Sequence, residues 1–145
     1  MNSLTDGRAA FEKGAWSEAY RLFAAADADT PLEPEDLNRL AMAAYLTGRD
    51  EANADALARS HARFLERGQK IRAAAAALWL TFSMRERSAQ QAQAAGWLSR
   101  AQRLLDEANE ECVEQGWLRC ATAPTVYRST RPVSSRHNQG CTSSA

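Results

Sequence analysis

The sequence predicts an all-α fold of about three antiparallel helix pairs, followed by a basic tail. Three observations predict it. Apolar residues recur at intervals of three and four rather than two, the spacing of one helix face. Alanine, the strongest helix former, supplies 30 of the 145 residues and favours closely packed helices. The chain has only 4 Pro and 7 Gly, too few for a turn-rich β fold, and several of them fall where the helical pattern breaks.

A first helix over 3–13 turns Leu4, Ala10 and Phe11 inward and is ended by Gly14. A second over 16–28 carries Trp16, Ala19, Tyr20, Phe23 and Ala26 on one stripe. Pro31 and Pro34 interrupt. Pro34 suits the first turn of a third helix, where Glu35 and Asp36 favour the positive end of its dipole. This helix runs to about Leu46, with Leu37, Leu40, Ala41, Ala44 and Tyr45, and Gly48 breaks the chain. A fourth helix covers 50–67 and stops at Gly68, and a fifth covers 70–84. Ser88-Ala89-Gln90-Gln91 has the form of a capping box opening a sixth helix, which extends to about 110.

Composition divides the chain into a helical domain over 1–118 and a flexible basic tail over 119–145. The first part carries a net charge of −4. The second carries four arginines (Arg119, Arg128, Arg131, Arg136), no acid, and a net charge of +4. Beyond Leu118 only Val126, Tyr127 and Val133 are sizeable apolar residues, too few to offset the entropy of ordering. A phosphate-touching arm is the functional alternative for this tail. No run of 18 apolar residues is long enough to span a membrane, and Met1–Asp6 lacks the start of a secretory signal. Cys112, Cys120 and Cys141 are odd in number and form no Cys-x-x-Cys pair, which argues against a disulfide scaffold or a structural zinc site. A cytoplasmic protein is expected.

The breaks recur. Gly14 and Gly48 lie 34 residues apart, each inside a helix pair, and a fixed interval of this size marks a repeat. Gly7, Gly14, Trp16, Ala19, Phe23, Ala26 and Pro31 together resemble a tetratricopeptide repeat. In it, a small-large-small triplet on the second helix admits the first helix closely. A second unit has Leu37, Leu40, Ala41 and Gly48, with Asn53, Leu57 and Ser60 at the triplet. A third, seven residues longer, has Ala89 at the turn and restores the triplet as Ala94, Leu98 and Ala101. The resemblance implies a short right-handed α-solenoid.

The stretches Ala43–Asp50, Ala75–Leu80, Gly96–Asp106 and Cys112–Leu118 further resemble the N-terminal region of LuxR-family transcriptional regulators. The resemblance covers about 1–118. It implies a non-enzymatic, regulatory protein–protein interaction module. Departure from the family after Leu118 reads as truncation or a frame shift. The recognition helix that performs DNA binding in the family has no counterpart in this sequence, so that activity is not carried over. A stand-alone helical scaffold and a small helical DNA-binding regulator are the alternatives, the latter disfavoured by the −4 helical part.

Candidate sites follow from this reading. The inner face of the array would present Arg8, Phe11 and Glu12 from the first unit and Glu35, Asn38, Met42 and Tyr45 from the second to a protein or peptide partner. Val113, Trp117 and Leu118 would form an exposed, uncapped end and support self-association. No catalytic, cofactor or metal site is expected. His61 has Leu57, Ala58, Phe64 and Leu65 at helical spacing and reads as structural. Cys112 follows Glu110 and Glu111, which disfavour a reactive thiolate. Glu107, Glu110, Glu111 and Glu114 read as a solvated helix face. Trp16, Trp79 and Trp97 read as core residues rather than as a ligand cage.

Overall fold

The computed structural model describes residues 2–85 and 87–123. Seven α-helices occupy them: α1 (Ser3–Glu12), α2 (Trp16–Asp29), α3 (Pro34–Leu46), α4 (Asp50–Glu66), α5 (Lys70–Arg85), α6 (Gln91–Ala108) and α7 (Val113–Thr122). No strand occurs among the described residues. Each helix from α1 to α6 packs on the next, and α7 packs on both α5 and α6.

The reversals are built the same way at three places. Gly14, Gly48 and Gly68 have φ of +74°, +72° and +69°. After α1, Gly14 N–H donates to the Phe11 carbonyl (3.0 Å) and Ala15 N–H to the Ala10 carbonyl (2.9 Å). This doubly bonded cap satisfies the last carbonyls of the helix and needs the left-handed backbone that glycine adopts without a Cβ penalty. The pattern recurs after α3, where Arg49 N–H reaches Ala44, and after α4, where Gln69 N–H reaches Phe64.

Small residues set the helix separations. Ala19, Phe23 and Ala26 of α2 are buried, as are Asn53, Leu57 and Ser60 of α4 and Ala94 and Ala101 of α6, with Leu98 half-buried. Gly7 of α1 lies against Phe23, and a Cβ built there would meet the ring at 3.4 Å. The two polar members of the α4 triplet are satisfied: Asn53 Nδ2 donates to the Ala41 carbonyl (2.9 Å) and Ser60 Oγ to Asn38 Oδ1 (2.6 Å). A buried polar group with its partner in place costs little. The core is continuous from α1 to α7, because Trp97 packs against both of its halves.

Ion pairs join α1 to α3, α2 to α4 and α3 to α5. Arg8 of α1 grips Asp36 of α3 with two nitrogens, Nε at 3.0 Å from Oδ1, and Arg39 adds a third bond at 2.8 Å. Arg59 of α4 grips Asp27 of α2 at 2.6 and 2.7 Å. Arg72 of α5 donates to Glu35 of α3 at 3.1 Å.

Three sequence expectations are corrected. Ser88 does not cap α6: residues Ser88–Gln90 form a short 3-10 turn, and α6 begins at Gln91 with no side-chain cap. The sixth helix stops at Ala108, where Asn109 takes the left-handed conformation, and a seventh helix follows. The division at residue 118 therefore falls inside α7, which continues to Thr122 and buries Ala121 against α5 and α6. Residues 124–145, with Arg128, Arg131, Arg136, His137 and Cys141, lie outside the described residues.

Glycine positions yield a pair of opposite predictions. Gly48→Ala forces a Cβ into the left-handed region and should destabilise by about 1 kcal/mol. Gly96→Ala lies in open space within α6 and should stabilise by roughly 0.5–1 kcal/mol. Urea midpoints of the two variants should move in opposite directions with unchanged slopes.

Candidate functional site

The helices α3, α5 and α7 share one face of the molecule, and between them runs a groove of about 460 Å³. Its floor is small: Ala41 of α3 and Ala75 and Ala76 of α5. Its walls are large: Met42 and Tyr45 of α3, Trp79 and Phe82 of α5, and Trp117 of α7. Trp79 stands edge-on to Phe82 (6.4 Å) and to Trp117 (6.0 Å), so the aromatic wall is continuous across two helices. Arg85 and Glu114 provide charge within the lining, and Arg85 is fixed by donating to the Ala121 carbonyl at 2.8 Å. Met42, Tyr45 and Trp79 remain 36 %, 50 % and 43 % exposed, unusual for side chains of this size.

Of the expected inner-face residues, Asn38, Met42 and Tyr45 line this groove. Arg8, Phe11, Glu12 and Glu35 do not. Arg8 is drawn onto the buried carboxylate of Asp36. Phe11 packs edge-on between Trp16 (5.2 Å) and Phe23 (6.5 Å) and belongs to the core. Glu12 is exposed beyond the groove, and Glu35 is held by Arg67 and Arg72. The expected exposed end is also corrected. Val113 is 68 % exposed, but Trp117 and Leu118 are half-buried, because α7 folds back and its apolar face meets α5 and α6. Trp79, expected in the core, is a groove wall instead.

Sequence reasoning missed Trp79, Phe82, Arg85 and Glu114. The signal was present in α5, which is apolar nearly all round. A helix of that kind has more than one face to cover. Ala74, Leu78 and Thr81 fill the core on one side, and Ala75, Trp79 and Phe82 form a second stripe at helical spacing.

Chemistry is sparse around the groove. Among the described residues no group of three or more His, Cys, Asp or Glu side chains could hold a metal ion. Cys112 is half-buried and Cys120 exposed. The four glutamates expected on one helix face are divided: Glu107 on α6 takes the Lys70 ammonium at 3.1 Å, Glu110 and Glu111 lie in the connection, and Glu114 is on α7.

His61 is buried, with Nδ1 2.7 Å from the Ala73 carbonyl and the ring edge-on to Trp97 at 5.2 Å. A carbonyl only accepts, so Nδ1 carries the proton. Burial pushes the His61 pKa below its ordinary 6.5, against the Ala73 hydrogen bond and with the help of Arg100. The carboxyls of Asp36 and Asp27 are held below the usual carboxylate value, chiefly by hydrogen bonds from Arg8 and Arg59 respectively and against the effect of burial.

These shifts set two pH windows. The unfolded chain protonates its histidine more readily than the native state does, so stability should fall as pH drops below 6.5. The paired aspartates contribute stability above their unfolded value of 3.8, which is lost as pH falls through and below it. Urea unfolding measured stepwise from neutral to acid should show both declines. His61→Leu should remove only the upper one. Asp36→Asn should flatten the lower one and cost about 2 kcal/mol at neutral pH, a figure reduced for the half-exposed arginine partners. Comparison of the chain with protein-family models, with curated proteins and with solved structures finds no match.

Proposed function

We propose that this chain is a non-enzymatic protein-interaction module, built as a tetratricopeptide-like stack, whose α3–α5–α7 groove receives an amphipathic helix of a partner protein. One observation carries the proposal. Large apolar side chains from three helices, Met42, Tyr45, Trp79 and Trp117, converge on a single trough and are left partly uncovered. A floor of alanines between aromatic walls suits a helix that inserts two or three apolar residues at three- and four-residue spacing. Arg85 and Glu114 offer opposite charges for orienting it.

The stack reading is supported by three features. The small-large-small triplets of α2, α4 and α6 face the core. The reversals after α1 and α3 use the same glycine cap, 34 residues apart. Three ion pairs (Arg8–Asp36, Arg72–Glu35 and Arg59–Asp27) run odd helix to odd helix or even to even, as two rows of a layered stack would, while Lys70–Glu107 joins α5 to α6. A regulatory role and a relationship to the N-terminal regions of LuxR-family regulators rest on the sequence resemblance and form part of the same proposal.

Panning a random peptide library on the intact chain tests it. Selected peptides should share apolar or aromatic residues at helical spacing. Their affinity should fall about tenfold or more in a Tyr45→Ala/Trp79→Ala variant, the loss expected of two interface anchors. An Arg8→Ala variant should bind as the parent does. Peptides without such a pattern, or peptides indifferent to the groove variant, would overturn the reading.

A further inference from the structure

On another face of the molecule, α4 and α6 enclose a separate cleft of about 260 Å³, lined by His61, Leu65, Arg100, Arg103, Leu104 and Glu107. Its floor is a histidine only 5 % exposed. Nδ1 of His61 is engaged by the Ala73 carbonyl, so the neutral ring carries its lone pair on Nε2. Among the described residues Nε2 has no hydrogen-bond partner and no fully buried side-chain nitrogen or oxygen lacks one, so Nε2 retains some contact with solvent. His61 is itself one of the residues lining the cleft.

Two cations line the cleft together with His61. Arg100 lies 4.8 Å from the Trp97 ring centroid, a stacking that holds its planar fork in place. Arg103 follows one turn later on α6. Neither forms a carboxylate ion pair among the described residues. Glu107, the acid in the cleft, is joined to Lys70 of α5. The charged groups that line the cleft with His61 are Arg100, Arg103 and Glu107 from α6, and Lys70 of α5 is paired with Glu107. The residues of α4 beside it, Leu57, Phe64 and Leu65, are apolar. Positive charge exceeds negative in a small recess of mixed polarity, lined in part by a buried imidazole.

We propose that this cleft binds a small phosphate-type dianion, held by the guanidinium groups of Arg100 and Arg103 and, once its ring is protonated, by the Nε2–H of His61. Guanidinium forks match phosphate oxygens two at a time. Binding and protonation are reciprocal: the anion raises the proton affinity of His61, and the protonated ring tightens the anion. This site is distinct from the α3–α5–α7 groove and stands independently of its proposed role.

The experiment is a histidine-ring NMR titration of the full chain with inorganic phosphate at constant ionic strength, with chloride and acetate as comparison arms. His61 signals should shift saturably with phosphate, and the His61 pKa should rise by about 0.5 pH unit or more, as expected for an anion brought next to an imidazole. An Arg100→Gln/Arg103→Gln variant, checked for fold by circular dichroism, should lose both effects, and Arg100→Lys/Arg103→Lys should restore part of them. Absence of a saturable shift, or a response retained in the folded glutamine variant, overturns the site. An equal response to acetate overturns its assignment to phosphate.

Discussion

At Gly14, Gly48 and Gly68 the chain has three residues in which to turn a helix back on the next, and a backbone with positive φ closes that turn while satisfying the last carbonyls. Because the link is so short, the two helices it joins have no choice but to lie against each other. Each then needs a complementary face, and the small residues of α2 and α4 provide it. The groove is a remote product of this constraint. Once α3, α4 and α5 are set by the two later reversals, the stripes of α3 and α5 that do not face α4 are turned to a common side.

The burial of Asn53 and Ser60 illustrates how such a packing tolerates polarity. Both sit where a purely apolar triplet would put a small or large hydrocarbon, and both find a partner on α3. A buried amide or hydroxyl without a partner would cost more than the packing could return. Their hydrogen bonds also add direction. Ser60 is bonded to Asn38, whose other side faces the groove, so the wall of the groove is positioned from behind by the core.

Much of the helical plan was legible because it depends on local signals. Periodicity located α1 to α6 to within a few residues, and the glycines located the reversals. What was not legible depends on contacts between distant residues. Ser88 and Gln91 have the spacing of a capping box, but the chain enters α6 through a 3-10 turn. Trp117 looked like an uncovered end because nothing in the sequence says that α7 folds back over α5. Arg8 was placed on the inner face because its partner, Asp36, lies 28 residues away and betrays itself only as one more acid at a helix start. The groove was half legible: its α3 wall follows from alignment of the repeats, and its α5 wall required noticing that one helix carries two apolar stripes.

The order in which the helices touch has a kinetic meaning. From α1 to α6 each packs chiefly on its neighbour in sequence, so little of the structure requires joining ends that are far apart along the chain. Folding of this kind closes only short loops and belongs to the fast end of the range for domains of this size. It can begin at any helix pair and spread outward. Among the described helices α1 and α7 are the most lightly packed, and amide exchange should open them before the middle of the molecule. Since α7 contributes Trp117 to the groove, fluctuation at that end would widen and narrow the trough while α3 and α5 stay in place.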